Sequence, residues 1–190
     1  MGQDADRDRE QERRERATSS IPPHLPPEHL RDPGDAMVYS PDGKTKYWGR
    51  FGAAGLLVWH RESGILLQHR AEWSHNGGTW ALPGGARRQG ESAFDAALRE
   101  ADEEAGVPAQ ILTSLFESVF DVGYWSYTTV AVEASEFFTP VVADLESIEL
   151  RWVALDDVDS LNLHPGFAAS WPELKTRLKY ENRPAGRFSR

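Results

Sequence analysis

Apolar and polar positions alternate along the chain in two periods, and the switches between them mark the elements. Phe51–Trp59 is a nearly continuous apolar run of strand length, followed by Arg61-Glu62-Ser63-Gly64 and a second apolar run, Ile65–His69. Two such runs around a short polar turn predict a buried strand and its returning partner in a hairpin. A loop rich in glycine and aromatics follows over 73–80, and Pro83-Gly84-Gly85 sets a turn. Over about 92–105 the period changes. Phe94, Ala97, Leu98, Ala101 and Ala105 recur at helical spacing and form one apolar stripe. Ser92 with Asp95 resembles a capping box, Gly106 suits the left-handed position that ends a helix, and Pro108 stops further helix. Ile111–Phe120, Tyr124–Val132 and Ile148–Val153 read as strands, the first two joined near Asp121-Val122-Gly123. Phe167, Trp171, Leu174 and Leu178 share a face of a closing helix over roughly 165–179. Pro172 places the true start of that helix near Trp171.

Composition narrows the class. The 190 residues, 39% hydrophobic and 27% charged, allow one sizeable core. No apolar run is long enough to span a membrane. The first 35 residues hold five of the twelve prolines, six basic and nine acidic side chains, and almost no apolar clusters. They read as a disordered arm, with the domain over 36–182 and a loose tail over 183–190. The amino terminus is too polar for a secretory signal, and cysteine is absent, which excludes disulfides, thiolate metal sites and cysteine nucleophiles. A cytoplasmic protein is expected. The net charge of −9 argues against duplex nucleic acid as a partner but not against a small phosphorylated ligand.

The predicted helix carries the chemistry. Glu100, Glu103 and Glu104 stand at i, i+3 and i+4, on one face within an arc of roughly 100°. Stacked like charges destabilise a helix, and a divalent cation reverses the sign of that energy; hard Mg²⁺ or Mn²⁺ prefers carboxylate oxygens. An ordinary solvated acidic face is the competing reading of the helix alone.

The flanks decide between the two. Gly85, five residues, Glu91, seven residues, then Arg99-Glu100-Ala101-Asp102-Glu103-Glu104-Ala105-Gly106-Val107 resembles the Nudix box at every defined position, and Leu82-Pro83-Gly84 resembles the run that leads into it. The resemblance is to Nudix hydrolases of the MutT type, with a layout shared from about Gly52 to Val153. It implies an α/β fold: the Nudix α/β/α sandwich, a mixed β-sheet flanked by helices. It also implies hydrolysis of a nucleoside diphosphate linked to another moiety, giving a nucleoside monophosphate and a phosphorylated remainder.

Carried over by position, Glu103 and Glu104 are implied metal ligands, and Glu100 a ligand or the base for the attacking water. Glu91 and Arg99 are supporting residues, and the Gly85 carbonyl is a further metal donor. Outside the box, Glu146 stands six residues before Trp152, where the family often places another catalytic glutamate; Glu149 is its rival. Arg70 matches a basic position that touches substrate phosphate. Trp73, His75, Tyr124 and Trp125 are candidates to hold a base, whereas Trp80, beside a strand, reads as core. The implied cofactor is Mg²⁺ or Mn²⁺ and the implied partner a small nucleotide; homodimers are common in similar proteins. A nucleoside triphosphate or modified nucleotide is the expected substrate. Dinucleoside polyphosphates (Tyr124, 17 residues beyond Val107, resembles their marker), ADP-ribose or nucleotide sugars, and a non-catalytic nucleotide sensor are the alternatives.

Overall fold

The computed structural model describes residues 32–181 apart from His75 and Asp144. Most of the expected arm (1–31) and the tail (183–190) therefore lie outside the described residues, as does His75. The chain order is β1 (Met37–Tyr39), β2 (Lys46–Trp48), β3 (Ala53–His60), β4 (Gly64–Arg70), β5 (Trp80–Ala81), β6 (Gly84–Ala86), α1 (Ala93–Ala105), β7 (Leu112–Asp121), β8 (Ser126–Ala134), β9 (Ser147–Val153) and α2 (Pro165–Glu181). Among the described residues no helix is long and apolar enough to cross a membrane.

A seven-stranded mixed sheet forms the middle layer. β3 runs parallel to β8, the other pairings are antiparallel, and α1 lies in the crossover between the two parallel strands. The apolar runs explain the layering. In β3, Leu57 and Trp59 point to one face, where they meet Trp171, Leu174 and Leu178 of α2. Ala54, Leu56 and Val58 point to the other, against Ala97, Ala101 and Ala105 of α1. Both faces of β3 are thus buried, so the strand is apolar at nearly every position rather than at every second one.

β3 and β4 pair only beside their turn, Trp59 with Ile65 and His60 with Gly64. Farther along, β3 hands its edge to Pro83 and β6, while β4 hands the corresponding edge to β5. The segment Trp80–Ala86 is therefore wedged between two diverging strands, and this split positions the functional residues.

Two expectations need correction, and one hairpin has no counterpart in the sequence reading. α2 begins at Pro165, so Pro172 lies inside the helix rather than in its first turn. The four buried side chains Phe167, Trp171, Leu174 and Leu178 hold both halves of the helix to the sheet. That burial outweighs the one backbone hydrogen bond that proline removes. In α1 the fully buried stripe is Ala96, Ala97, Ala101 and Ala105, with Phe94 and Leu98 only half-buried at its margins. The hairpin β1–β2 was not foreseen, because three-residue strands leave no readable period. The caps behave as expected: the Ser92 hydroxyl accepts from the Asp95 amide at 3.0 Å, and Gly106 closes α1 with φ 62°.

Candidate active site

The wedge brings the start of the box against α1. The Gly84 amide donates to Glu104 Oε2 at 2.9 Å, and Glu104 is only 7% exposed despite its charge. Next to it, a methyl group on Gly85 would stand 2.6–2.7 Å from the carboxyl atoms of Glu100. Only a residue without a side chain lets that carboxylate lie so close to the strand.

Arg99 organises the other side. Its Nε and Nη2 donate to the two Glu91 oxygens at 2.8 and 3.0 Å, a bidentate pair. Nη2 also donates to the Ala86 carbonyl at 3.0 Å, and Nη1 reaches Glu100 Oε1 at 2.7 Å and Glu103 Oε2 at 3.4 Å. The guanidinium holds the Glu91 carboxyl below its ordinary range, and Glu91 in turn raises that of Arg99. Burial pushes the Glu100 carboxyl up, against the opposing pull of Arg99. Glu91 also accepts from the Arg88 amide, and its carbonyl accepts from the Arg87 side chain. These bonds close the loop that enters α1.

Of the three helix glutamates, the structure brings Glu100 and Glu104 to β6. Glu103 remains at the surface, 52% exposed, between Arg99 and Arg88. Among the described residues no three acidic or histidine side chains are gathered into a ready metal cluster. Arg99 and the Gly84 amide bind oxygens that would have to face an ion.

On the α2 face of the wedge lies a cavity of about 540 Å³, lined by Arg70, Leu82 and Gly84 together with Tyr47, Trp125 and Tyr127. Gly84 belongs to both places, lining the cavity while its amide holds Glu104. Arg70 lies 3.9 Å from Glu146 Oε2, and the Glu146 carbonyl accepts from the Ala71 amide at 2.7 Å. The rival Glu149 is half-buried and paired with Arg151 along the strand. Trp125 lines the cavity, Tyr124 stands beside Tyr47 in the loop outside it, and Trp73 is 43% exposed and does not line it. Trp80 is buried as expected, stacked on His69 at 4.7 Å.

Several cavity residues escaped sequence reasoning. Tyr47 comes from the unforeseen hairpin and stacks on Trp125 at 4.3 Å and 11°. The Trp125 indole N–H donates to the Trp48 and Gly49 carbonyls, so the hairpin fixes that ring. The β-strand period alone could have suggested Tyr127 and Thr129, which share one face of β8 with Ala131.

A family model for the NUDIX domain matches residues 49–174, so the hairpin precedes the matched segment. The chain is 49% identical over 168 residues to a protein of Mycobacterium tuberculosis (strain CDC 1551 / Oshkosh) named "Putative 8-oxo-dGTP diphosphatase 3", covering 81% of this chain and 76% of the relative. Among solved structures it is similar to RenU, a Nudix hydrolase from M. smegmatis. There the TM-score is 0.71 and the identity 47%, over 81% of this chain and 100% of the other. An Ap4A hydrolase of C. elegans, with a TM-score of 0.57 and 22% identity over 67% of this chain and 98% of that one, shares the fold. The complete box, the mixed sheet between helices and these similarities agree: the chain belongs to the Nudix hydrolase family and is a pyrophosphatase.

Proposed function

We propose that the chain is a divalent-metal-dependent hydrolase of nucleoside triphosphates. It would release a nucleoside monophosphate and leave the remaining phosphates as a diphosphate. Oxidised purine nucleotides are the first candidates, in keeping with the name of the mycobacterial relative. The observation that carries this reading is the junction at Gly84, where an aromatic-lined cavity with one arginine adjoins the buried Glu104 carboxylate of α1. A base needs a flat apolar wall, a phosphate needs a cation, and the scissile anhydride lies between them.

The donor set fits a hard divalent cation. Glu100, Glu103 and Glu104 offer carboxylate oxygens from one rigid helix face, and Gly85 offers a carbonyl beside them. The desolvation that disfavours the charged form of Glu100 is the environment a neighbouring cation would relieve. When bound, Mg²⁺ or Mn²⁺ neutralises anhydride charge and acidifies a water.

The chain's own residues do the rest. Arg70 binds a phosphate oxygen at the cavity wall. Arg99, anchored on Glu91 and the Ala86 carbonyl, orients Glu100 and Glu103. Glu146, held at Arg70, accepts the proton of the attacking water as its oxygen bonds to phosphorus and the anhydride P–O bond breaks. The test is a screen of dGTP, 8-oxo-dGTP, ADP-ribose and dinucleoside polyphosphates with Mg²⁺ and with Mn²⁺. Hydrolysis of the triphosphates at least tenfold faster than of the others supports the assignment, a ratio of about 1.4 kcal/mol in transition-state stabilisation. Preference for a dinucleoside polyphosphate would replace it.

A further inference from the structure

One face of β8 presents two hydroxyl groups to the cavity, Tyr127 and Thr129, which stand two residues apart and so point the same way. Thr129 is 3% exposed. Neither hydroxyl forms a hydrogen bond with any described residue, and Ser118, across from Thr129 on β7, is in the same position and also lines the cavity. Among the described residues the polar side-chain atoms sealed in the interior without a partner are Gln68 Oε1 and Trp171 Nε1; the two β8 hydroxyls instead open onto the cavity, where they can bond to a molecule bound in it.

The neighbourhood of Tyr127 is built to keep its hydroxyl there. The ring lies across β3 at Gly55, and any side chain at that position would collide with the phenolic oxygen. A larger residue at 55 would push the ring off the strand, so the missing side chain and the tyrosine form one feature. Arg70, the buried Glu104 and the half-buried Glu100 lie near enough to act on the phenol. Burial pushes its titration far up, so it is a hydrogen-bond donor at neutral pH.

We infer that Tyr127 and Thr129 are substrate-binding residues: the Tyr127 phenol donates to a phosphate oxygen beside Arg70, and the Thr129 hydroxyl reads a polar edge of the nucleoside. This rests on the reading of the cavity as the substrate site. It adds two contacts that lie on β8, outside the box.

Tyr127→Phe and Thr129→Val remove the two oxygens and little else. Four quantities are measured on the full chain: kcat and KM for dGTP with Mg²⁺, the Kd of dGMP by calorimetry without added metal, and Tm. Tyr127→Phe is expected to weaken dGMP binding and lower kcat/KM by about tenfold or more, equivalent to about 1.4 kcal/mol. Thr129→Val is expected to raise KM about threefold to tenfold with kcat little changed, the range for a neutral hydrogen bond. Neither should lower Tm, because no protein partner is lost. Wild-type affinity in both variants would overturn the inference, and so would a Tm lowered by several degrees, which would show that the hydroxyls bond within the fold. A wild-type chain that neither binds dGMP nor hydrolyses dGTP would overturn the functional reading and the inference together. Variants that match an active wild type overturn the inference alone.

Discussion

Arg99 gives the sharpest stability prediction. It makes four hydrogen bonds between 2.7 and 3.0 Å, two to Glu91, one to Glu100 and one to the Ala86 carbonyl, and its side chain and that of Glu91 are largely buried. Removing one partner of such a pair leaves a desolvated charge behind, at about 3–5 kcal/mol. Glu91 retains the Arg88 amide and some water, so the lower end applies, about 3 kcal/mol for Arg99→Ala and about the same for Glu91→Ala. If the pair is one unit, the double variant should cost about 4 kcal/mol rather than about 6, a coupling of about 2 kcal/mol. Arg99→Lys keeps the charge but loses the fork, and should recover less than half of the loss. Urea unfolding of the wild type and the four variants reads these values, and Tm should fall by about 6–12 °C in each single alanine variant. Single losses below about 1 kcal/mol, or additivity within about 0.5 kcal/mol, would refute the claim that Arg99 and Glu91 brace the loop as a pair.

Other expectations follow from the same geometry. Glu103→Gln and Glu104→Gln should each lower turnover of dGTP by about two orders of magnitude or more at saturating Mg²⁺, with circular dichroism unchanged; equal turnover would remove both from the reaction. Because Arg99 holds the Glu91 carboxyl below its ordinary value of 4.5, its contribution to stability is complete above that pH and lost as pH falls below it. The gap in stability between the wild type and Glu91→Gln should therefore be flat from about pH 6 to 8 and narrow below about pH 4.5, and a gap that widened on acidification would contradict the assignment. Gly55→Ala should cost about 1–3 kcal/mol by crowding the Tyr127 hydroxyl, and the cost should shrink in a Tyr127→Phe background. An additive double variant would show that the two positions do not meet.

The sequence was most legible where one period ran long. The 13 residues of α1 carried their caps, apolar stripe and carboxylates in plain spacing, and β3, β4 and β7–β9 were readable as runs. Short elements were not: β1, β2, β5 and β6 have two or three residues each, too few for periodicity, although β6 supplies the Gly85 contact and β2 supplies Tyr47. Spacing placed Glu104 on the face of Glu100 but did not reveal its burial, which depends on the wedge between β3 and β4 and so on pairings remote in the chain. Arg70 and Glu146 meet at neighbouring ends of β4 and β9, whereas Trp73 and Tyr124, candidates to stack on a base, lie outside the cavity. Loop aromatics cannot be placed from spacing, because neither a helical nor a strand period fixes their direction.

Product analysis tests the central claim most directly. Incubation of 8-oxo-dGTP or dGTP with the chain and Mg²⁺, followed by phosphorus NMR and chromatography, should yield the nucleoside monophosphate and pyrophosphate in equal amounts, with none formed when the ion is chelated. Release of orthophosphate and a nucleoside diphosphate, or the same yield in the presence of chelator, would contradict it.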